Sequence, residues 1–501
     1  MNLPMPTIRR GLGLLAGTTA LALSATACHD ALAPKPNDIL APENFYATSA
    51  NAVTATNAVY DQTRWRYWLF FWYLSDITTD EVLASSSFGS DGHRASDYTF
   101  DATEGSIADT WTNAYSAINR ANAVIGRVPA ISMDSTLKAR LLGEARFMRA
   151  LAYFDLVRFY GDVPLITNEV TSLNGLNVAR TPSAQVYATI ISDLQTAATS
   201  LPVSYSGADV GRVTTGAAQA LLAKVYLTQK DWNNAAKMAG QVMSSGTYTL
   251  LPNFKDVFRI SSAQTNKENI FSLNYDPTVN AGTGSVVTLF TLPSNFPGGD
   301  AYGLIQVLPS AIQKYPAGDK RGLGATYITS PYTDTLGRKV TWGVPGGAAI
   351  LKYLDQSNTQ NMNSRGWQAQ ANNWIVLRYA DVLLMYAEAV NEGGTPTAGS
   401  AETALNLVRT RAGIPAVSGL SQSDFRNTVH DERLRELMFE GHRWFDLARW
   451  GVLDATVRAK TAEVAGLYPG ETTPHGVPSV LMPIPQSQIN IDPNLSQNPG
   501  W

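Results

Sequence analysis

The residues of this chain that could do chemistry are aromatic and fork-shaped polar side chains in two irregular stretches. A sugar ring can lie with its C–H face on a flat aromatic ring while its hydroxyl groups pair with Arg, Asp or Asn. The first stretch, residues 61–110, offers Asp80, Phe88, His93, Arg94 and Tyr98. The second, residues 275–370, offers Phe296, Tyr302, Trp342 and Trp367, each beside Gly, Pro or Asn. We predict that these residues form a ligand-binding site.

For any single ring in this set, folding back into the core is at least as common an outcome as exposure. We therefore expect two or three of the candidates to contact ligand. Other tryptophans lie on segments with helical periodicity and are predicted to pack inside the protein. They are Trp65, Trp68, Trp72, Trp111, Trp232, Trp374, Trp444 and Trp450.

Motifs for catalysis are scarce. The sequence has neither the Gly-x-Ser-x-Gly turn of a serine hydrolase nor a phosphate-binding loop, and its five histidines lack metal-ligand spacing. Asp80 and Glu81 would point to different sides of an extended segment, so we interpret them as solvated loop acids, although a glycosidase pair drawn from separate loops stays open. Asp91, Asp97 and Asp101 lack the spacing of a calcium-binding EF-hand. We predict a binding protein with no catalytic residue, cofactor or metal ligand.

The first residues have the pattern of an export signal. Arg9 and Arg10 precede a compact apolar stretch, residues 11–23, and small residues then lead to Cys28, the only cysteine of the protein. This apolar stretch is far shorter than the roughly 20 residues that a membrane-spanning helix needs. A cleavable signal peptide is therefore the interpretation that the pattern favours.

We predict that residues 1–27 are a lipoprotein signal peptide and that Cys28 becomes the acylated N-terminus of the mature protein. Several acyl chains on one residue anchor a protein stably to a membrane. Residues 28–41 would then form a short tether. The alternatives are a plain secretory cut after Ala27, with Cys28 incidental, and export through the twin-arginine route.

Composition narrows the class of partner. The chain has 501 residues, 45% of them hydrophobic, and a single cysteine excludes a disulfide within it, so burial must supply its stability. Without residues 1–27 it carries 36 basic and 41 acidic residues, a balance that argues against nucleic acid as a partner. The 11 tryptophans and 21 tyrosines leave room for aromatic binding surfaces.

Helical spacing of apolar residues dominates the middle and the end of the chain. Alanines that could face a large ring on a partner helix suggest tetratricopeptide-like pairs, although no 34-residue repeat recurs. We predict a mainly α fold in which such pairs form a scaffold, with long irregular loop insertions and a few short β-strands, including residues 285–292 and 352–354. The predicted helices cover residues 138–159, 182–201, 217–227, 231–242, 375–391, 402–412 and 425–440.

The densest charged segment is residues 431–451, DERLRELMFEGHRWFDLARWG. Arg443, Asp446 and Arg449 recur every three residues, so on a helix the carboxylate lies within reach of both arginines. Because Trp444 and its apolar neighbours require burial, we predict a partly buried, paired ion cluster that locks one helix to its neighbours. An amphipathic helix with surface ion pairs is the alternative.

This charged segment resembles the C-terminal signature of the SusD/RagB outer-membrane lipoproteins. Further blocks resemble the same family in the same order, and together they cover nearly all of the mature chain. Two departures are Trp501, where tyrosine is common, and Ala25, where leucine usually precedes the lipidated cysteine. The blocks are 42–46 (PENFY), 110–115 (TWTNAY), 143–150 (GEARFMRA), 160–165 (YGDVPL), 378–389 (RYADVLLMYAEA), 407–413 (LVRTRAG) and 497–501 (QNPGW).

The resemblance implies an outer-membrane lipoprotein that faces the outside of the cell. Its partner would be a SusC-like TonB-dependent transporter, and its ligand an oligosaccharide or polysaccharide. The site would include the loop before the helix at residues 111–115. The chain would divide into an N-terminal helical region, residues 42–270, and a C-terminal region, residues 271–501.

Two alternatives to a glycan ligand stay open. RagB-like members of the family handle peptides, which would need a cleft with charge and backbone-pairing edges. A helical-repeat interaction protein at the cell surface would need no small ligand at all. The position of the candidate aromatic residues separates the last case from the others, because it requires those rings to be buried.

Overall fold

The computed structural model describes residues 45–85, 88–172, 177–262, 265–278, 283–342, 347–358, 370–470 and 472–501. The predicted signal peptide, Cys28, the tether and Trp367 lie outside these described residues. Within the described ranges, no helix combines the length and the apolar character that crossing a membrane requires.

The fold is mainly helical, as predicted. Short 3₁₀ turns at Val128–Ala130, Gly207–Asp209, Phe254–Phe258 and Ile260–Ser262 join some of the elements, and a helical turn at Phe70–Trp72 continues as a π-helix at Tyr73–Ile77. The α-helices are α1 (Ser49–Tyr67), α2 (Gly89–Ser96), α3 (Gly105–Arg127), α4 (Ser135–Tyr160), α5 (Ser183–Ser200), α6 (Thr215–Thr228), α7 (Trp232–Ser244), α8 (Val287–Thr291), α9 (Pro309–Gln313), α10 (Tyr379–Asn391), α11 (Ala401–Ala412), α12 (Gln422–Leu437), α13 (Arg443–Trp450), α14 (Leu453–Leu467) and α15 (Gln486–Ile491).

Local capping residues set several helix starts. The side chains of Asp134, Thr214 and Asp231 accept hydrogen bonds from the backbone N–H groups of the first turns of α4, α6 and α7. Each such cap satisfies a donor that would otherwise have no partner within the helix. The sequence-based starts of these helices were therefore correct to within a few residues.

The helices pair in chain order to build the scaffold. Helix α4 packs on α5, α5 on α6, α6 on α7, α7 on α10 and α10 on α11. Alanines of α6 and α7, among them Ala217, Ala220 and Ala236, are fully buried and let the two helices approach closely. The prediction of tetratricopeptide-like pairs is confirmed. The division of the chain at residue 270 stays a prediction.

Short strands join segments that are far apart in sequence. One sheet has the order β1-β3-β7-β4, and the pairs β2–β8 and β5–β6 form two-stranded ribbons. Every strand pair is antiparallel. The strands are β1 (Val82–Ala84), β2 (Asn269–Leu273), β3 (Ile305–Val307), β4 (Tyr327–Thr329), β5 (Tyr332–Thr333), β6 (Lys339–Val340), β7 (Ala348–Ile350) and β8 (Trp374–Arg378).

Three sequence-based assignments were wrong. Residues 285–292 contain helix α8 rather than a strand, and residues 352–354 follow β7 as a turn. The helix predicted from residue 375 begins only at Tyr379, because the apolar run that includes Trp374 first forms β8 against β2. An uninterrupted apolar run does not distinguish a buried strand from a buried helix, which accounts for these errors.

Buried ion pairs join the C-terminal helices to the rest of the core. Glu436 on α12 accepts hydrogen bonds from Arg378 at 2.5 Å, from Arg321 at 3.0 Å and from Arg411, and all four side chains are buried. Burial alone would raise the pKa of Glu436, but the three guanidinium groups outweigh it and hold the pKa well below its usual range. The predicted buried ion cluster is confirmed.

One pair in that prediction was wrong. Asp446 does pair with Arg449 on its own helix, at 2.9 Å, but its second partner is Arg433 on α12, at 2.7 Å. Arg443 turns away from Asp446 and binds Asp80 instead. Arg443 and Asp446 lie on the same helix, but both carboxylate oxygens of Asp80 accept hydrogen bonds from the Arg443 guanidinium and draw it away.

Candidate ligand-binding surface

The sheet brings the two irregular stretches of the chain together. Strand β1 from the first stretch pairs with β3 from the second, with Val82 opposite Val307 and Ala84 opposite Ile305. The N–H of Ser85 then donates to the carbonyl of Leu304 at 2.8 Å. The candidate residues that follow β1 therefore lie close to those that precede β3.

Tyr302 is the candidate whose ring is most open to solvent. Its residue is 44% exposed, and the ring meets the ring of Phe290 edge to face at 5.8 Å. Phe290 in turn packs on Phe88 at 5.2 Å. The backbone of Tyr302 is fixed by an N–H···O bond to Leu289 at 2.7 Å. An aromatic ring on a rigid apolar base can accept the C–H face of a sugar without first being ordered.

Trp342 is half-buried and belongs to the second irregular stretch. Its indole N–H donates to the carbonyl of Gly347 at 3.2 Å, and its backbone N–H donates to the hydroxyl of Ser330 at 3.0 Å. The Asn295 side chain donates to the carbonyl of Thr341, the residue before it. The segment 289–295 thus contacts the backbone at Tyr302 and at Thr341, the residue before Trp342.

Phe88, Tyr98 and Phe296 lie in the core, so their predicted exposure to ligand is corrected here. They are 9%, 3% and 2% exposed, respectively. Phe88 packs between Tyr73, at 4.9 Å, and Phe290, while Phe296 stacks on Tyr332 at 6.1 Å. Phe88 and Phe296 pack on rings that are distant in sequence, whereas the Tyr98 ring packs on Phe100 at 4.9 Å. Phe88 supports Tyr302 through Phe290, and Phe296 belongs to the apolar cluster on which Trp342 packs.

Tyr98 is held by a hydrogen bond as well as by burial. Its hydroxyl accepts the indole N–H of Trp444 at 3.1 Å, and burial raises its pKa well above the ordinary value. Its backbone φ of +59° lies in the left-handed region, which costs free energy for a tyrosine. Helix α13 therefore fixes the end of the segment that contains α2.

Arg94 closes its own loop and is only partly available to a ligand. Its guanidinium donates to the carbonyl of Thr99 at 3.2 and 2.9 Å and to the carboxylate of Asp101 at 2.8 Å, and it also pairs with Glu104 at 2.5 Å. The side chain is 36% exposed. The neighbouring His93 has a 25% exposed side chain, and its Nε2 lies 3.8 Å from the carboxylate of Asp97.

The pKa values of two carboxylates in this loop, Asp101 and Glu104, are shifted in opposite directions. Hydrogen bonds from Thr103 and then from Arg94 lower the pKa of Asp101 to about 2. Burial, together with a hydrogen bond to Asp91, raises the pKa of Glu104 to about 7. Within the described residues, no group of three or more His, Cys, Asp or Glu is placed to hold a metal ion.

Asp80 and Glu81, which directly precede β1, are structural rather than solvated, and this corrects their interpretation as loop acids. Both carboxylate oxygens of Asp80 accept hydrogen bonds from Arg443, at 2.7 Å each. Glu81 is buried and accepts the backbone N–H of Phe439 at 2.9 Å. Asp80 is therefore committed to an ion pair and not free for a ligand.

The turn between α12 and α13 directs backbone N–H groups at buried acids of the segment before β1. Phe439 and Gly441 have φ values of +58° and +79°, and the N–H of Gly441 donates to buried Asp76 at 3.0 Å. Burial raises the pKa of Asp76 to about 7 and that of Glu81 well above its usual value. A Cβ at position 441 would come within 2.7 Å of the ring of Phe71, so glycine is required there.

Comparison with known proteins places the chain in a family. Residues 327–501 match the family described as "SusD family", and residues 35–227 match one described as "Starch-binding associating with outer membrane". The chain belongs to the SusD-like family. A SusD-like protein of Formosa agariphila is 29% identical over 515 residues, which cover 96% of this chain and 98% of that protein.

Solved structures of SusD-like proteins have the same fold. A SusD superfamily protein from Parabacteroides distasonis matches with a TM-score of 0.74 and 27% identity, over 90% of this chain and 99% of the other. A protein described as a laminarin binding SusD-like protein matches with a TM-score of 0.74 and 26% identity, over 91% of this chain and 100% of the other.

Sequence reasoning missed the residues that support the surface of this SusD-like chain. Phe290 and Asn295 carry no motif, yet they hold Tyr302 and the segment before Trp342 in place. Trp111 was predicted to pack and is 4% exposed, but with Tyr115 it also lines a mainly apolar cleft of about 380 Å³. The helical spacing of Trp111 predicted that its side chain would be buried, but it did not predict that the residue would line a cleft.

Proposed function

We propose that this SusD-like chain is a non-catalytic lipoprotein of the cell surface that captures an oligosaccharide or polysaccharide. It would then deliver the glycan to a SusC-like TonB-dependent transporter in the outer membrane. Family membership and the description of one family model as starch-binding support a glycan ligand. A relative of similar fold is described as laminarin binding.

The observation that carries this proposal is the exposed ring of Tyr302 on its packed aromatic base. Half-buried Trp342, whose preceding residue accepts a hydrogen bond from Asn295, supplies a second apolar surface for sugar rings. An open surface of this kind typically binds with dissociation constants on the order of 1 mM to 1 μM, or roughly −4 to −8 kcal/mol. Such modest affinity suits a protein that must release its ligand to a transporter.

The exposure of the candidate aromatic rings also tests the alternative of a helical-repeat interaction protein without a small ligand. That alternative requires buried candidate rings, and Phe88, Tyr98 and Phe296 are indeed buried. Tyr302 is not, and its exposure favours a ligand. A peptide is the alternative ligand, and the binding experiment below distinguishes it from a glycan.

The test of the ligand is a glycan array, followed by calorimetric titration of the best glycan into the mature protein. Tyr302→Ala and Trp342→Ala should each weaken binding about tenfold, because each removes a stacking surface. Leu407→Ala is the matched control, since Leu407 is 46% exposed on α11. Equal affinity of all three variants would exclude this surface, and binding to a peptide library alone would replace the glycan by a peptide.

The anchor and the partner need separate tests. Mass spectrometry of the mature N-terminus should find acyl chains on Cys28, and Cys28→Ser should release the protein from the membrane fraction. Purification of the protein from membranes should also recover a TonB-dependent barrel. Incubation with the bound polysaccharide should leave its chain length unchanged, because the proposal contains no catalytic step.

A further inference from the structure

A second cleft lies between the 3₁₀ turn Phe254–Phe258 and the segment 351–357. Its volume is about 310 Å³, at the lower end of the range for small-molecule sites. The exposed Thr335, close to the β5–β6 ribbon, closes one side. The cleft contains none of the residues predicted from the sequence, and a space of this size suits a single sugar residue.

The floor of this cleft is aromatic and rigid. Phe258 is half-buried, and its ring packs edge-on against Phe254 at 5.5 Å and Tyr353 at 5.7 Å. The ammonium group of Lys352 lies 5.3 Å from the centre of the Phe258 ring. The same ammonium group donates a hydrogen bond to the carboxylate of Glu440 at 2.8 Å. Because these contacts fix the ring, Phe258 offers a preformed apolar surface.

Hydrogen-bond donors dominate the polar lining. Lys255 and Arg259 are exposed and line the cleft, with Arg259 paired to Asp256 at 2.9 Å. The carboxylate of Asp355 is already engaged by the backbone N–H of Ile260 at 2.8 Å and by Ser357, whose N–H and hydroxyl donate to it at 3.0 and 2.6 Å. Lys255 and Arg259 therefore bring two positive charges to the cleft against the single carboxylate of Asp355, whose oxygens already accept hydrogen bonds from the protein.

We propose that this cleft binds an anionic sugar residue, one that carries a carboxylate or a sulfate ester. The C–H face of the sugar would lie on Phe258, and its anionic group would pair with Lys255 and Arg259. Gln356 and Thr335 line the same space and can pair with hydroxyl groups. This inference rests on the proposed function only in that the ligand is a saccharide, and it narrows that class to acidic glycans.

The cleft and the candidate surface share one small core. Leu351 and Leu354 line the cleft and belong to the apolar cluster on which Trp342 packs. The hydroxyl of Tyr332 donates to Gln356 at 2.8 Å, and the Tyr332 ring stacks on Phe296 in that cluster. The cleft and Trp342 therefore rest on the same apolar cluster.

The test is calorimetric titration of the mature protein with a galacturonic acid trisaccharide, its sulfated galactose counterpart and the neutral galactose trisaccharide of the same linkage. At least one acidic ligand should bind about tenfold more tightly than the neutral one. The Lys255→Ala/Arg259→Ala double variant should abolish that preference, and Phe258→Leu should weaken all three. Lys237→Ala, at an exposed site on α7, is the matched control and should change nothing.

A Tyr302→Ala background separates this inference from the proposed function. In that background, the protein with Lys255 and Arg259 intact should still bind the acidic trisaccharide more tightly than the protein with both residues changed to alanine. This result is expected whether or not Tyr302 binds glycan. Equal binding of acidic trisaccharides to the wild type and the double variant would overturn the inference. So would sodium sulfate that competes as strongly as the trisaccharides, because the cleft would then hold a simple anion and no sugar.

Discussion

Arg443 donates to both carboxylate oxygens of Asp80, at 2.7 Å each, across a sequence separation of 363 residues. The pair joins the first turn of α13 to the residue that precedes β1 by two positions. Nearby, Lys460 on α14 donates to the carbonyl of Ile77 at 2.5 Å. The C-terminal signature of the family therefore holds the start of the candidate surface.

The first prediction concerns this pair. Arg443→Ala should lower the free energy of unfolding by about 2 kcal/mol, because it leaves a mostly buried carboxylate without its charged partner. Burial would raise the pKa of Asp80, but the Arg443 guanidinium now holds it below the ordinary value. Denaturant unfolding monitored by circular dichroism measures the change.

Arg458→Ala is the control for that experiment. Arg458 also pairs with an aspartate, Asp454, but their side chains are 62% and 48% exposed. Exposed pairs of this kind contribute little to stability. A loss of stability in Arg458→Ala as large as that in Arg443→Ala would contradict the prediction.

The second prediction concerns the core ion network. Glu436→Gln should destabilise the protein by roughly 3–5 kcal/mol, because it leaves three buried arginines short of one charge. Asp431→Asn on the same helix is the control, since its pair with Lys314 is 41% and 47% exposed. The two variants are compared by their urea midpoints. Similar midpoints would mean that water already reaches Glu436.

The third prediction is a pH dependence. Asp76 has a folded-state pKa of about 7, raised by burial, so between about pH 4 and 7 the folded protein holds a proton that the unfolded chain has released. Stability from this group therefore falls as the pH rises through that window. Asp76→Asn keeps an oxygen for the Gly441 N–H and removes the titration.

Stability curves at a series of pH values test this prediction. Variant and wild type should differ least near pH 4, and the difference should change in favour of Asp76→Asn by at least about 1 kcal/mol on approach to pH 8. Burial and then the Asp76 carboxylate raise the pKa of Glu81, so Asp76→Asn also lowers that pKa and adds to the difference in the same direction. A difference that does not vary with pH would show that Asp76 is charged throughout.

The fourth prediction separates support from contact. Phe88→Ala should cost about 3 kcal/mol of stability, because it opens a cavity between Tyr73 and Phe290. Tyr302→Ala should change stability by no more than about 0.5 kcal/mol, as is usual for an exposed position, yet weaken glycan binding. Thermal unfolding and titration on the same samples measure both. The reverse pattern would place the binding surface elsewhere.

The fifth prediction concerns the loop that Arg94 closes. Arg94→Ala removes both hydrogen bonds to the carbonyl of Thr99 and the pair with Asp101. Amide hydrogen exchange across residues 94–103 should become at least about tenfold faster, because local opening costs less. Arg120→Ala, which releases the carbonyl of Ala58, is the control and should leave this loop unchanged.

Sequence reasoning succeeded where the cause was local. Thr214 and Asp231 cap their helices through bonds to residues three positions away, so a short window contained the whole signal. The charged run in α12 and α13 was likewise readable, because large apolar neighbours forced its ions into the interior. Trp374 was assigned to a helix wrongly, since the strand that it begins depends on pairing with residues 269–273.

The site was less predictable, because burial in the loops depends on distant partners. Nothing near Phe88 in sequence reveals that Phe290 will cover it, and nothing near Asp80 reveals Arg443. Tyr302 and Trp342 keep access to solvent because backbone hydrogen bonds fix their positions, while the ring contacts with Phe290 and Gly347 leave part of each ring exposed.

The contacts of the turn at Phe439 and Gly441 limit how this protein can be shortened or rearranged. A truncation before this turn would leave Asp76, Asp80 and Glu81 facing an apolar interior without counter-charges or amide donors. Such a fragment would be prone to aggregation even if its helices formed. Engineered versions for glycan sensing should therefore keep both ends of the chain and place insertions in exposed turns of the helical scaffold.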